Sequence, residues 1–366
     1  MTDMIKLGDA ATYINGYAFK PEDRGEEGLP IIRIQDLTGN AYDLGFYDGR
    51  YPEKIEINDG DILISWSASL GVYVWNRGKA LLNQHIFKVV FDKAEIDKNY
   101  FVYAVRQKLD EIGRKTHGAT MKHIVKKDFD ATEIPYPSLR EQAEIATNLD
   151  KISRITEVRK RELQLLDDLV RARFVEMFGD PVTNPYKWDE TTVGDECFYI
   201  KDGPHKSLPD IGKENGGHPF ISVRNIVNHT IDFSTAKYIS DADYVDAIKK
   251  CHPEKGDMLY SKGGTTGIAK LIDVDIEFAN WVHVAVLKFH KDKLNGIFFE
   301  NMLNCDYCYD QSQRLTKGIA NRDLVLSAMA QIKMYRPPME LQNQFADFVR
   351  QVDKSKFCSS ENTRRT

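Results

Sequence analysis

Short segments of this chain occur twice, in the same order, at a spacing that drifts slowly from 186 to 200 residues. Lys6-Leu7-Gly8-Asp9, followed by Tyr13-Ile14, returns as Thr192-Val193-Gly194-Asp195, followed by Tyr199-Ile200. The run from Pro30 to Leu37 returns from Pro219 to Ile226, and Gly60-Asp61-Ile62-Leu63-Ile64-Ser65 as Gly256-Asp257-Met258-Leu259-Tyr260-Ser261. Gly71 answers Gly267, and His85-Ile86-Phe87 answers His283-Val284-Ala285. Gly118 answers Gly318, and Pro137-Ser138-Leu139 answers Pro337-Pro338-Met339. So long a period excludes a solenoid, so each copy is expected to be a whole domain.

Within a copy the pattern is mostly strand. Pro30 to Leu37, Ile62 to Trp66 and Ile86 to Phe91 are short β-branched or aromatic runs, and Asn58-Asp59-Gly60 is a turn signal. Tyr100 to Ile112 has helical spacing. The expectation is an α/β (α+β) globule of roughly 140–160 residues, present twice. Between the copies, Leu139 to Phe178 contains no Gly and no Pro, and apolar residues recur at steps of three and four from Ile145 to Met177. That is the stripe of a coiled-coil-type helix. Ser138 and Glu141 have capping-box spacing, and Gly179-Asp180-Pro181 is a stop. At about 1.5 Å per residue, such a helix is a rod of about 60 Å. The pattern restarts at Met339, with Gln342, Phe345, Ala346 and Val349 matching Gln142, Ile145, Ala146 and Leu149, and then fades. The expected layout is a first domain over 1–138, a long helix over 139–179, a second domain over 180–337, a shortened helix over 338–357 and a disordered tail over 358–366.

The 366 residues include 50 basic and 55 acidic side chains, a net charge of −5. This argues against a protein that coats nucleic acid by bulk attraction, and leaves room for local basic patches. No apolar run approaches the ~18 residues of a membrane span. The N-terminal segment shows no secretory h-region. Five cysteines, all in the second half, form no disulfide framework, and a cytoplasmic protein is expected. Cys305-x-x-Cys308 lacks a second pair at zinc-site spacing. The run Ser261 to Gly267 lacks the order of a phosphate-binding loop, and Asn184-Pro185-Tyr186 misses the methyltransferase tetrapeptide by one proline. No catalytic group, metal or cofactor is expected. Two related globules joined by a rod look like a device that recognises something at two places. A non-catalytic interaction or dimerisation scaffold is the alternative.

With these residues, the architecture resembles the specificity subunit of type I restriction–modification systems. The resemblance rests on Ile5-Lys6-Leu7-Gly8-Asp9, Gly16-Tyr17-Ala18-Phe19-Lys20, Leu29 to Leu37, Asn58 to Ser65, Leu82 to Ile86, the helix entry Pro137 to Gln142 and the helix exit Phe174 to Pro181. It implies two target recognition domains, each reading half of a split double-stranded DNA site. It also implies helices that set the gap and dock adenine-methylating modification subunits, with a restriction–translocation subunit joining indirectly. Such a chain directs chemistry and performs none.

Base readout needs Arg, Lys, Asn, Gln, Ser, Thr or His on loops that reach a groove. In the first copy the candidates are Lys20, Gln35, Ser65, Ser67, Ser69, Thr116, His117, Gly118, Thr120, Lys122 and His123. In the second they are His205, Lys206, Ser207, Arg224, Asn225, Ser261, Lys262, Thr265, Thr266, Arg314, Lys317, Asn321 and Arg322. Arg106 to Lys127 carries seven basic and two acidic residues, a candidate phosphate-facing patch. On the helix, Ile145, Leu149, Ile152, Leu163, Leu166, Val170 and Met177 are the candidate partner-binding residues, with self-association through this helix as one use of them.

Overall fold

The computed structural model describes residues 3–40, 43–115, 124–318 and 321–364, without the side chains of 113–115 and 357–364. It divides into two units, Met1–Val158 and Arg159–Thr366, and the division falls inside the long helix.

Each unit repeats one topology. In unit 1 an antiparallel sheet has the strand order Thr12–Asn15, Ile86–Val90, Ile62–Ser65, Gly71–Val74. In unit 2 the order is Cys197–Asp202, Val284–Phe289, Met258–Ser261, Ala269–Leu271. A second sheet pairs Leu29–Ile32 in parallel with Ala80–Leu82, and its counterpart pairs His218–Ile221 in parallel with Ala279–Asn280. Each unit is then closed by pairing its first strand with its last: Met4–Lys6 with Glu133–Pro135, and Asp189–Thr192 with Lys333–Arg336. The α+β class and the duplication stand. One match slips. Ser65 faces Gly71, whereas the Ser261 N–H donates to the Ile268 carbonyl at 2.9 Å, so the second hairpin tip is one residue longer and Gly71 corresponds to Ile268.

Phe87, Phe101 and Phe129 fill the unit 1 core, and Tyr260, Phe289, Phe298 and Phe299 that of unit 2. The long helix runs Leu139–Phe178. Its start is the expected box: the Ser138 N–H donates to the Glu141 carboxylate at 3.0 Å, and the Glu141 N–H to the Ser138 hydroxyl at 3.4 Å. It ends on Gly179, whose φ of 78° is the left-handed cap. Near this end Phe174 and Phe178 pack on Phe298 and Phe345 with ring centroids 4.9–5.8 Å apart. Burying each such ring stabilises by roughly 1.5–3 kcal/mol.

A buried glutamine docks each helix to its own unit. The Asp97 N–H donates to Gln142 Oε1 at 2.9 Å, and Gln142 Nε2 donates to the Pro137 carbonyl at 2.8 Å. In unit 2 the Asn295 N–H donates to Gln342 Oε1 at 2.9 Å, and Gln342 Nε2 to the Pro337 carbonyl at 2.7 Å. The second helix corrects the expected boundaries. It spans Met339–Arg364, so 358–364 are helical rather than a disordered tail. Fading of the apolar stripe is not a stop; without Gly or Pro, each further residue costs the helix only tenths of a kcal/mol.

Candidate nucleic-acid interface

The candidate surface of each unit is built at the tip of the hairpin in its antiparallel sheet. In unit 2 the tip follows Ser261. Its Gly264 N–H donates to the Arg322 carbonyl at 3.1 Å, and the Leu324 N–H to the Lys262 carbonyl at 2.7 Å. The tip is thereby laced to the loop that follows the helix Asp306–Leu315. That lacing brings Thr265, Arg314, Lys317, Asn321 and Arg322, all exposed, into one neighbourhood. Unit 1 repeats the joint: the Ile124 N–H donates to the Trp66 carbonyl at 3.0 Å. Here Ser69 is exposed and Ser67 half-buried. The segment carrying Thr116, His117, Gly118, Thr120, Lys122 and His123 lies outside the described residues.

A second pair of positions sits after the parallel strand. Gln35 lies on the short helix Ile34–Thr38, and Arg224 on the counterpart turn Val223–Asn225; both side chains are exposed. The residue after each points inward as a cap. Asp36 accepts the Arg33 N–H at 2.8 Å, and Asn225 Oδ1 accepts the Ser222 N–H at 2.8 Å. A third element is the segment after the first sheet strand. Gly16 and Gly203 pass against carbonyls of the parallel-paired segment, where an added Cβ would lie 2.0 Å from the Asn83 oxygen and 1.7 Å from the Asn280 oxygen. This leaves Lys20 exposed in unit 1 and His205, Lys206 and Ser207 exposed in unit 2.

Five expected reading residues are corrected to framework. Ser65 is buried, and its hydroxyl donates to the Ser69 carbonyl at 2.5 Å. Ser261 is buried and accepts the Ile268 N–H at 2.8 Å. Asn225 is buried as the cap just described, with Nδ2 also donating to the Asp232 carbonyl at 2.9 Å. Thr266 is buried against the Thr316 hydroxyl at 3.0 Å. Lys262 is buried with its ammonium 2.8 Å from Asp323 and 3.5 Å from Asp202. A side chain buried and hydrogen-bonded inside the protein does not reach a base edge. The basic patch is also weaker than its composition. Lys108 is paired with Glu111 at 3.1 Å and Lys126 with Asp130 at 2.8 Å, while Arg106 and Lys127 are exposed.

Tyr17 was not singled out by residue type, yet it is 42% exposed beside Lys20 and meets Phe19 edge-on at 5.0 Å. Its place in Gly16-Tyr17-Ala18-Phe19-Lys20 was the available signal. The helix stripe is divided. Val170 is buried, and Leu166 and Met177 pack on the unit 2 core, so these three are corrected from partner contacts to core. Leu149 is half-buried, while Ile145, Ile152 and Leu163 are exposed. Exposed Ile155, Val158, Leu165 and Leu169 were missed, because they lie on a different face from the stripe that the strongest periodicity traced.

Three thiols, Cys197, Cys251 and Cys308, belong to the core. Burial pushes Cys197 up to about 12 and Cys251 up to about 11, so both stay protonated. Cys308 is buried and donates to the Lys333 carbonyl at 3.5 Å. Among the described residues no group of three His, Cys, Asp or Glu could hold a metal, and no helix is long and apolar enough to cross a membrane.

Comparison with known proteins adds the following. The family described as "Type I restriction modification DNA specificity domain" matches residues 2–167 and again 185–365, once per copy. The type I restriction enzyme EcoBI specificity subunit of Escherichia coli is 24% identical over 384 aligned residues, covering 95% of this chain and 78% of that protein. The MjaVIII specificity subunit of Methanocaldococcus jannaschii is 20% identical over 369, covering 96% and 86%. A crystal structure of a type I restriction–modification S subunit from M. genitalium superposes with a TM-score of 0.60 at 16% identity, covering 100% of this chain and 92% of that one. At that identity the likeness concerns the fold.

Proposed function

Because the chain belongs to the specificity-subunit family of type I restriction–modification systems, we propose that it is the non-catalytic subunit that chooses the DNA sequence, with each unit reading one half of a bipartite site. The helices set the gap between the half-sites and dock the adenine-methylating subunits, and a restriction–translocation subunit joins that complex. The observation that carries this reading is that one topology, built twice, exposes different chemistry at matching positions. Gln35 stands where Arg224 stands, and the exposed tip residues Ala68-Ser69 where Gly264-Thr265 stand. A bidentate glutamine suits adenine, and a bidentate arginine suits guanine. Two scaffolds of one topology with different contact residues fit two different half-sites better than a symmetric one.

Target recognition is assigned to Lys20, Gln35, Ser67 and Ser69 in unit 1, and to His205, Lys206, Ser207, Arg224, Thr265, Arg314, Lys317, Asn321 and Arg322 in unit 2. The segment 116–123 remains a candidate from its sequence. Docking of the modification subunit is assigned to the exposed helix residues Ile145, Ile152 and Leu163, joined by Ile155, Val158, Leu165 and Leu169.

Genome-wide adenine methylation tests the proposal, comparing cells that carry this chain and its modification subunit with cells that carry the modification subunit alone. A new split motif with a fixed gap is the expected result. Replacing Arg314–Arg322 should then change one half of that motif only. If the two subunits associate and no new motif appears, the chain is an interaction scaffold and the proposal fails.

A further inference from the structure

Three segments that carry exposed contact candidates of unit 2 meet at one buried ammonium. Lys262 opens the tip, and its side chain is 7% exposed. Its Nζ lies 2.8 Å from Asp323 Oδ1, at the end of the loop that holds Lys317, Asn321 and Arg322. It lies 3.5 Å from Asp202 Oδ2, at the end of the first sheet strand. Asp202 also accepts Lys250 Nζ at 2.7 Å, and His205 Nε2 stands 3.7 Å from it. The Lys262 backbone closes the same joint: its N–H donates to the His283 carbonyl at 2.8 Å, and its carbonyl accepts the Leu324 N–H at 2.7 Å.

Among the described residues, unit 1 builds the matching joint on an indole. Trp66 occupies the position of Lys262. Its N–H donates to the His85 carbonyl at 3.3 Å, its carbonyl accepts the Ile124 N–H at 3.0 Å, and its indole N–H donates to Asn15 Oδ1 at 3.3 Å. Asn15 closes the first sheet strand there, as Asp202 does in unit 2. The Trp66 ring stacks on Phe87 with centroids 5.5 Å apart.

We propose that Lys262 is a positioning residue that presets the recognition loops of unit 2 through Asp202 and Asp323. A lysine buried between two carboxylates is oriented from both sides, and it loses that orientation when either partner goes. The consequence for specificity is directional. Lys317 and the segment 321–323 of unit 2 keep their geometry only in company with Lys262 and Asp202. A recognition loop taken from another chain needs a matching anchor. The inference rests on the DNA-reading proposal for its effect on sequence choice, and on the structure alone for its effect on the loops.

Two measurements on the full-length chain keep these apart. In Lys262→Met and in Asp323→Asn, the second of which keeps the Lys262–Asp202 pair and guards against a misfolded first variant, hydrogen exchange at Gly264, Lys317 and Leu324 should quicken by about tenfold or more. The sheet amides of 258–261 and 284–289, and all of unit 1, should keep their protection. Lys262→Arg should restore the loops. In the methylation assay, Lys262→Met should blur one half of the motif and leave the other intact. Unchanged exchange in the two loops overturns the proposal whether or not the chain reads DNA. Loosened loops with an unaltered motif overturn the specificity role. If the unmodified chain confers no motif while the loops loosen, the DNA reading fails and the anchor stands.

Discussion

Ala68 holds a φ of 57° at the tip of the unit 1 hairpin, in the left-handed region that glycine occupies at the matching tip residue, Gly264, with a φ of 70°. A Cβ in that region costs about 1 kcal/mol or somewhat more. Ala68→Gly should therefore stabilise unit 1 by roughly 0.5 kcal/mol, after the added freedom of the unfolded chain is counted. Gly264→Ala should destabilise unit 2 by about 1 kcal/mol; urea unfolding of the two variants checks both signs. Gly203→Ala is a harsher change, since its Cβ would overlap the Asn280 carbonyl. A cost of roughly 1–3 kcal/mol or more is expected, with displacement of the His205–Ser207 segment. None of these three sites announced its conformation in sequence. Ala68 is not a turn residue by type, and the close approach at Gly203 is made by a strand 77 residues away, at Asn280.

The long helix was the most legible element, because a long run without Gly or Pro and with a continuous apolar stripe has few alternatives. What periodicity could not say was which part of the stripe its own unit would cover. Phe174 lies against Phe298 and Phe345, so Phe174→Ala should cost roughly 3–5 kcal/mol in a denaturation experiment. Leu165 and Leu169 are 58% and 47% exposed. Leu165→Ala with Leu169→Ala should leave unfolding within about 0.5 kcal/mol of the unmodified chain. The same pair should weaken co-purification of the modification subunit; unchanged co-purification would remove these residues from the docking assignment. Gln342→Ala tests the anchor of the second helix. It strands the Asn295 N–H and should cost roughly 1–3 kcal/mol.

On the scale of the whole molecule, a net charge of −5 means that the proposed function needs local loops to attract DNA against an overall repulsion. Lys317→Ala should make the negative slope of log K against log salt shallower by about 0.9 if that side chain meets a phosphate, and leave the slope unchanged if it meets a base edge without neutralising one. The amino-acid sequence by itself determined the duplication, the α+β class of each copy, the long helix with its cap and stop, and the family. All of these are written in short-range patterns or in the order of segments. Only the tertiary structure decided which polar residues face outward. Ser65 and Ser69, Asn225 and Arg224, Lys262 and Lys317 are neighbours in sequence or alike in type, and one of each pair is inside. For Lys262 the choice is made by partners far along the chain, Asp202 and Asp323. Local spacing carries no record of those partners. A strand pairing or a loop crossing must bring them together before burial and hydrogen bonding can separate framework from reading surface.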